Sequence, residues 1–290
     1  MRSAIVTLLE QILHETSHLQ SIMKIPPLAA IERGNVGAPC IIFLHGFLGS
    51  KEEWTPIMEA LSPTFHCWAV DLPGHGETPA VADDEAYSFE GMRMALAAFM
   101  ERVGMDQSHW VGYSMGGRLA WSLAVERPGW VKRVAIESAA PGRLDDRQVQ
   151  ARERADDRWA ARFEREPIET VLADWYAQPV FASLRESPAA LARMIAARSR
   201  NQGREVARAI RGTSVARQPS YWDRLSTVSV PVLMLVGEQD VKYRRVARHV
   251  LADSDSIEVA TIAGAGHNIH WEAPARVAMQ LAQWFSRDNK

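Results

Sequence analysis

The sequence predicts an α/β protein built on a doubly wound, mostly parallel sheet, with a block of helices inserted into it. Three observations carry this. From residue 38 onward, short β-rich apolar runs alternate with longer runs of helical spacing, the pattern of parallel strands joined by crossover helices. The strand signal stops near Pro141 and returns only after about Arg224. Ahead of that gap a Gly-x-Ser-x-Gly turn stands at residues 112–116, where an apolar run gives way to a helical one.

Taken in order, the first 22 residues place Ile5, Leu8, Leu9, Ile12, Leu19 and Ile22 at roughly helical spacing, and Met23-Lys-Ile-Pro-Pro27 breaks the pattern. Residues 1–30 read as a helical extension, of which the 22 residues ahead of the second methionine, Met23, are expected to be dispensable for activity. His14-Glu-Thr-Ser-His18 in this stretch matches the H-E-x-x-H zinc-protease pattern. A hydrolytic zinc site needs a third protein ligand and a cleft, and no further histidine occurs until His45, so the pair is read as solvated helix surface and no metal is assigned. Strands are expected over 40–44, 66–71, 109–112, 131–137, 232–236 and 257–262, where each short, mostly apolar run reads as a buried strand. Helices are expected over 51–61, 88–103, 115–127, 241–252 and 274–287. The core is therefore 31–140 with 225–290, and 141–224 is a helical cap.

A chain of 290 residues with 47% hydrophobic and 23% charged residues has enough apolar material for a sizeable core. Its net charge of −2 provides no chain-wide field to hold nucleic acid or an anionic membrane. No apolar stretch approaches the ~20 residues of a bilayer span. The N-terminus also lacks a secretory pattern, so the protein reads as cytoplasmic, a monomer or weak homo-oligomer. Cys40 and Cys67 lie in strand-like runs and read as small buried hydrophobes.

The insert has its own charge chemistry. Residues 143–224 contain 16 Arg, no Lys and 12 acidic residues, about +4, against about −6 for the rest. Ion pairs on a solvated helical surface account for most of these arginines. They do not account for the exclusion of lysine, because a planar fork binds carboxylates bidentately and an ammonium does not.

Ser114, flanked by Gly112 and Gly116, is the candidate nucleophile or base: the glycines permit a tight strand-to-helix turn and the helix N-terminus lies beneath the hydroxyl. A serine needs a histidine to take its proton, and the histidine needs a carboxylate to fix its tautomer. Asp240 follows the strand at 232–236 and His267 follows the strand at 257–262, so Ser114, Asp240 and His267 can converge at one sheet edge. Glu238 is the only local rival to Asp240. His75 and His270 read as structural loop residues, His109 as a strand residue and His249 as a helix residue. Phe47, after the first core strand, and Met115, after the serine, are the expected backbone donors of an oxyanion pocket.

Phe43-Leu-His-Gly-Phe47, Asp71-Leu-Pro-Gly-His-Gly76, Gly112-Tyr-Ser-Met-Gly-Gly-Arg118, Asp174-Trp-Tyr-Ala-Gln-Pro-Val-Phe-Ala-Ser183, Gly237-Glu-Gln-Asp-Val-Lys242 and Gly266-His-Asn-Ile-His270 together resemble the α/β-hydrolase superfamily. Within it the chain from about Ile41 resembles the 2-succinyl-6-hydroxy-2,4-cyclohexadiene-1-carboxylate synthases of menaquinone biosynthesis. The first two stretches are generic to the superfamily; the Ser-Met-Gly-Gly-Arg and Trp-Tyr-x-Gln-Pro-Val-Phe runs are far narrower. Residues 1–30 have no counterpart, and the stretch between Ser183 and Arg198 aligns only loosely. The resemblance implies a cofactor-independent lyase in which the Ser-His-Asp set acts as a base on a small multi-carboxylate substrate, with pyruvate as the leaving group. It implies Arg118, Arg152 and Arg198 as carboxylate contacts and Tyr113, Trp175 and Lys242 as pocket residues. Two other functions use the same motifs: a hydrolase of carboxylic esters or carbon–carbon bonds, and a non-catalytic small-molecule receptor.

Overall fold

Strand β2 (Cys40–Leu44) shows how the sheet is built: Ile42 and Leu44 enter one apolar cluster and Ile41 and Phe43 the other, because successive side chains of a strand point to opposite faces. A strand buried on both sides loses its polar alternation, which is why the core strands read as continuous apolar runs. The computed structural model describes residues 25–143, 149–253 and 256–289. The expected N-terminal helix and the His14–His18 pair lie outside them. Seven strands form one sheet in the order β1-β3-β2-β4-β5-β6-β7, with β3 (His66–Val70), β4 (Ser108–Tyr113), β5 (Val131–Glu137), β6 (Val232–Gly237) and β7 (Ile257–Ile262) parallel to β2.

The remaining strand, β1 (Ala30–Arg33), was not expected. It pairs antiparallel with β3 at the edge of the sheet. Four residues that end in an acid and a base, just after Pro26-Pro27, carry no β periodicity, and only the backbone ladder makes them a strand. Leu28, inside the stretch read as an extension, is already part of the core.

Helices α1 (Thr55–Leu61), α2 (Phe89–Arg102) and α3 (Met115–Glu126) connect the first strands. Between β5 and β6 the described chain is helical: α4 (Val149–Arg165), α5 (Ile168–Tyr176), α6 (Ala182–Arg185), α7 (Pro188–Arg198) and α8 (Gly203–Gly212), with short 3-10 turns. These helices bury Phe163, Leu172, Tyr176 and Met194 in a cluster that includes Leu48 and packs against Phe47, both from the loop after β2. Helices α9 (Val241–Asp253), α10 (Ile269–Glu272) and α11 (Pro274–Phe285) complete the layers. Among the described residues no helix is long and apolar enough to cross a membrane. Both cysteines are free, and burial pushes each thiol up to about 12, as unreactive packing residues require.

The order in which strands are added switches sides between β2 and β4, since β3 lies on the outer side of β2. Loops leaving neighbouring strand ends part at such a point and leave a crevice. Here the Gly116 N–H donates to the His45 carbonyl at 3.1 Å and ties the two loops together at the floor of that crevice.

Candidate active site

Ser114 is the single residue between β4 and α3, and its backbone is left-handed, φ 49° and ψ −104°. Such a conformation costs a non-glycine residue about 1–2 kcal/mol. The turn is held by two backbone bonds of 2.9 Å: the Ser114 N–H donates to the Glu137 carbonyl, and the Ser114 carbonyl accepts from Arg118. Neither flanking glycine can be replaced without moving backbone. A Cβ on Gly112 would stand 2.3 Å from the Gly116 carbonyl oxygen, and one on Gly116 would stand 2.4 Å from that of Leu44.

The His267 Nδ1 is 2.8 Å from Asp240 Oδ2, and the other carboxylate oxygen accepts the Tyr243 N–H at 3.1 Å from the first turn of α9. In the tautomer that donates Nδ1–H to Asp240, Nε2 is left as a proton acceptor. Tyr243, Tyr113 and Phe181 surround the imidazole at ring separations of 5.1, 5.5 and 5.9 Å, so its orientation is fixed by packing as well. Glu238 is engaged elsewhere: its Oε2 accepts from Gly264 N–H at 2.8 Å. Ser114 and His267 line one cavity, without a hydrogen bond between their side chains.

Phe47 and Met115 line the same cavity, and Met115 opens α3, where a helix N–H has no partner one turn back. The opposite wall is cationic. Arg118, on the first turn of α3, donates one Nη1 bond of 2.7 Å to the Thr213 carbonyl and lies 5.1 Å from the centroid of the Phe89 ring. Burial brings its pKa down to about 10, so it remains a cation, but an incompletely solvated one. Arg152 reaches the wall from α4 with part of its fork already used by Asp156, which also accepts the Ser214 hydroxyl at 2.6 Å. Lys242 stands beside them with its Nζ 5.0 Å from the Tyr243 ring centroid. Three cations against one carboxylate on the wall make a pocket for anions.

The model of the α/β hydrolase fold matches residues 39–274. A 2-succinyl-6-hydroxy-2,4-cyclohexadiene-1-carboxylate synthase from Klebsiella pneumoniae is 38% identical over 255 residues, 88% of this chain and 97% of that one. The chain belongs to this synthase family of α/β hydrolases. A synthase of the same name from Citrobacter koseri is 40% identical over 86% of this chain and 95% of its own. The solved structure of MenH from S. aureus superposes with a TM-score of 0.83 at 27% identity, covering 90% of this chain and 99% of that one.

Of the residues matched to synthase motifs, Arg118, Arg152, Trp175 and Lys242 share the cavity wall with Ser114 and His267, while Asp240 stands behind the imidazole. Tyr113 and Arg198 are not brought there. Tyr113 is 2% exposed and packs edge-on against His270, with ring centroids 4.8 Å apart. Arg198, also 2% exposed, pairs with Glu53 at 2.7 Å. Motif reading missed Asp156 and Tyr243. The first had a signal, since it lies four residues after Arg152 on one helix face.

Behind the site lies a buried charge cluster. His270 Nδ1 is 2.9 Å from Glu137 Oε1, its Nε2 is 3.4 Å from Glu53 Oε2, and its ring stacks on Trp54 at 4.2 Å. Burial opposes charge on this imidazole, but Glu137 and then Glu53 outweigh it and raise its pKa to about 9. Burial likewise opposes charge on Glu53, and Arg198 followed by His270 brings it down to about 2. His270 is thus raised above its ordinary 6.5, and its contribution is complete below that pH and lost as pH rises through 9. Glu53 is depressed from 4.5, so its contribution is complete above that pH and lost as pH falls through 2. We expect the unfolding free energy in urea to fall by on the order of 2 kcal/mol between pH 6.5 and 9.5, and His270→Asn to flatten that decline. Equal pH slopes in the two proteins would exclude a charged His270.

Proposed function

We propose that the protein is a carbon–oxygen lyase that eliminates pyruvate from a succinyl-enolpyruvyl-hydroxycyclohexene-carboxylate to give 2-succinyl-6-hydroxy-2,4-cyclohexadiene-1-carboxylate. One observation carries the reading beyond kinship: a serine and an imidazole share a cavity with Arg118, Arg152 and Lys242. A neutral ester gains nothing from three cations, whereas a substrate with several carboxylates is bound and oriented by them.

The chemistry follows from the groups present. The carbon-bound proton beside the succinyl carbonyl is the most acidic on the ring, and its removal puts negative charge on that carbonyl oxygen. Ser114 Oγ takes this proton as His267 Nε2 accepts the serine's own, and Asp240 stabilises the imidazolium. The N–H groups of Phe47 and Met115 meet the developing oxyanion. Electrons returning from it form the ring diene and break the carbon–oxygen bond to the enolpyruvyl group, which leaves as an enolate and takes up a proton to become pyruvate. No acyl-enzyme forms. The helices of 141–224 act as the cap that carries the anion-binding wall.

Mixing the purified protein with the upstream succinyl-enolpyruvyl intermediate should release pyruvate at a rate proportional to protein concentration. Release no faster than the spontaneous rate, with ready turnover of neutral aryl esters, would assign the site to ester hydrolysis instead.

A further inference from the structure

The loop that carries Phe47 is gripped from the inserted helices. Arg198, the last residue of α7, donates from Nη1 to the Phe47 carbonyl at 3.3 Å, and Asn201 donates from Nδ2 to the next carbonyl, that of Leu48, at 2.7 Å. Leu48 needs holding: it is a non-glycine residue at φ 68°, with its side chain fully buried. Two successive peptide planes are thus fixed by one turn of chain more than a hundred residues away.

Neither clamp residue lines the anion cavity. The Arg198 charge is already met by Glu53 at 2.7 Å, and its guanidinium also donates to the Tyr176 hydroxyl and lies 5.5 Å from the centroid of that ring. Asn201 carries no charge, and its Oδ1 accepts the Gly76 N–H at 2.9 Å, joining a second loop to the same point. Glu53 in turn meets His270, three residues beyond His267. The grip on Phe47 is therefore braced against the segment that carries the base.

We infer that Arg198 and Asn201 are positioning residues, a clamp from the inserted helices that holds the two peptide planes after Phe47 and so restrains the loop that presents the Phe47 N–H to the developing oxyanion. This rests on Phe47 being an oxyanion donor in the reaction proposed above. It assigns Arg198 a role in rate, where a carboxylate contact would give it a role in affinity. It also makes the seating of α7 a condition for catalysis, since a shifted helix takes both carbonyl partners with it.

The test compares wild-type protein with Asn201→Asp, which keeps the Oδ1 acceptor and the volume but loses the donor, and with Arg198→Lys, which keeps the charge but loses the fork. Pyruvate release, turnover of p-nitrophenyl acetate and hydrogen–deuterium exchange of the 45–50 peptide are measured on each. We expect kcat to fall about tenfold or more in both, with KM within about threefold. Exchange at 45–50 should quicken while the strands keep their protection, and neutral-ester turnover should fall with pyruvate release. The double variant should be no worse than the poorer single one, because both act on one loop. A raised KM for the anionic substrate with kcat and ester turnover unchanged would overturn the clamp in favour of direct binding by Arg198. If the wild-type protein releases no pyruvate, the lyase reading fails separately. The exchange of 45–50 then decides: unaltered exchange in both variants overturns the clamp. Should Arg198→Lys not fold, the isosteric Asn201→Asp carries the comparison alone.

Discussion

Ser114→Ala should lower the rate of pyruvate release by about 10³-fold or more while substrate affinity changes less than about threefold. The Ser114 hydroxyl belongs to the cavity that Phe47, Met115 and His267 also line, and alanine leaves both expected donors and the cationic wall in place. The cationic wall of Arg118, Arg152 and Lys242 is untouched, so in the proposed reaction the loss falls on kcat. Stability should stay within about 0.5 kcal/mol, because alanine at φ 49° bears the same backbone strain that serine does. Rapid mixing with a coupled pyruvate assay and a calorimetric affinity measurement separate the two quantities. A variant that binds and still turns over within tenfold of wild type would remove Ser114 from the chemistry. A covalent acyl adduct on the wild-type serine would show that the reaction is a hydrolysis. An affinity unchanged in a protein that never turns over would leave only a receptor.

How much of this could be read from sequence depends on the range of the interaction involved. Strands such as β2 and β6 are buried on both faces, so their composition alone declares them, and their expected bounds match the structure to within a residue. The elbow is legible for a similar reason: the glycines, the serine and the helix start are contiguous, and the clash distances at Gly112 and Gly116 show why no other residue serves there. Asp240 and His267 were placed by the rule that loops at the carboxyl ends of parallel strands converge, and they lie within hydrogen-bonding distance. What failed depends on side-chain direction in three dimensions. Arg198 carries the same charge as Arg118 and lies in the same arginine-rich insert as Arg152, but its partner Glu53 lies 145 residues earlier in the chain and no local spacing announces it. The Glu137–His270 bond spans 133 residues and is equally silent. The edge strand β1 failed for the opposite reason, since it is made by its neighbour's hydrogen bonds and has no apolar pattern of its own.

Arg118→Lys should reduce kcat/KM by about 10²-fold, most of it through weaker binding of the anionic substrate, while stability moves by about 1 kcal/mol at most. The guanidinium stands at the start of α3, one turn from Ser114, and its one hydrogen bond among the described residues goes to the Thr213 carbonyl. The rest of the fork is held in the cavity over an aromatic ring, and burial has brought its pKa down to about 10. That depression measures how poorly the free site solvates the charge. A substrate carboxylate supplies the missing counter-charge, so the cost of burying the cation in the empty protein becomes an attraction that only an anion can collect. A lysine at this position keeps the sign but presents a single point. If it reaches the carboxylate, it leaves the Thr213 carbonyl; if it keeps Thr213, it leaves the carboxylate. The two substitutions therefore separate cleanly: Ser114→Ala acts on turnover with affinity preserved, and Arg118→Lys acts on affinity for anions. Neutral-ester turnover is the internal control, because an uncharged substrate has no use for the fork. Near-wild-type kcat/KM on the anionic substrate in Arg118→Lys, or an equal loss on the neutral ester, would deny Arg118 a carboxylate-binding role.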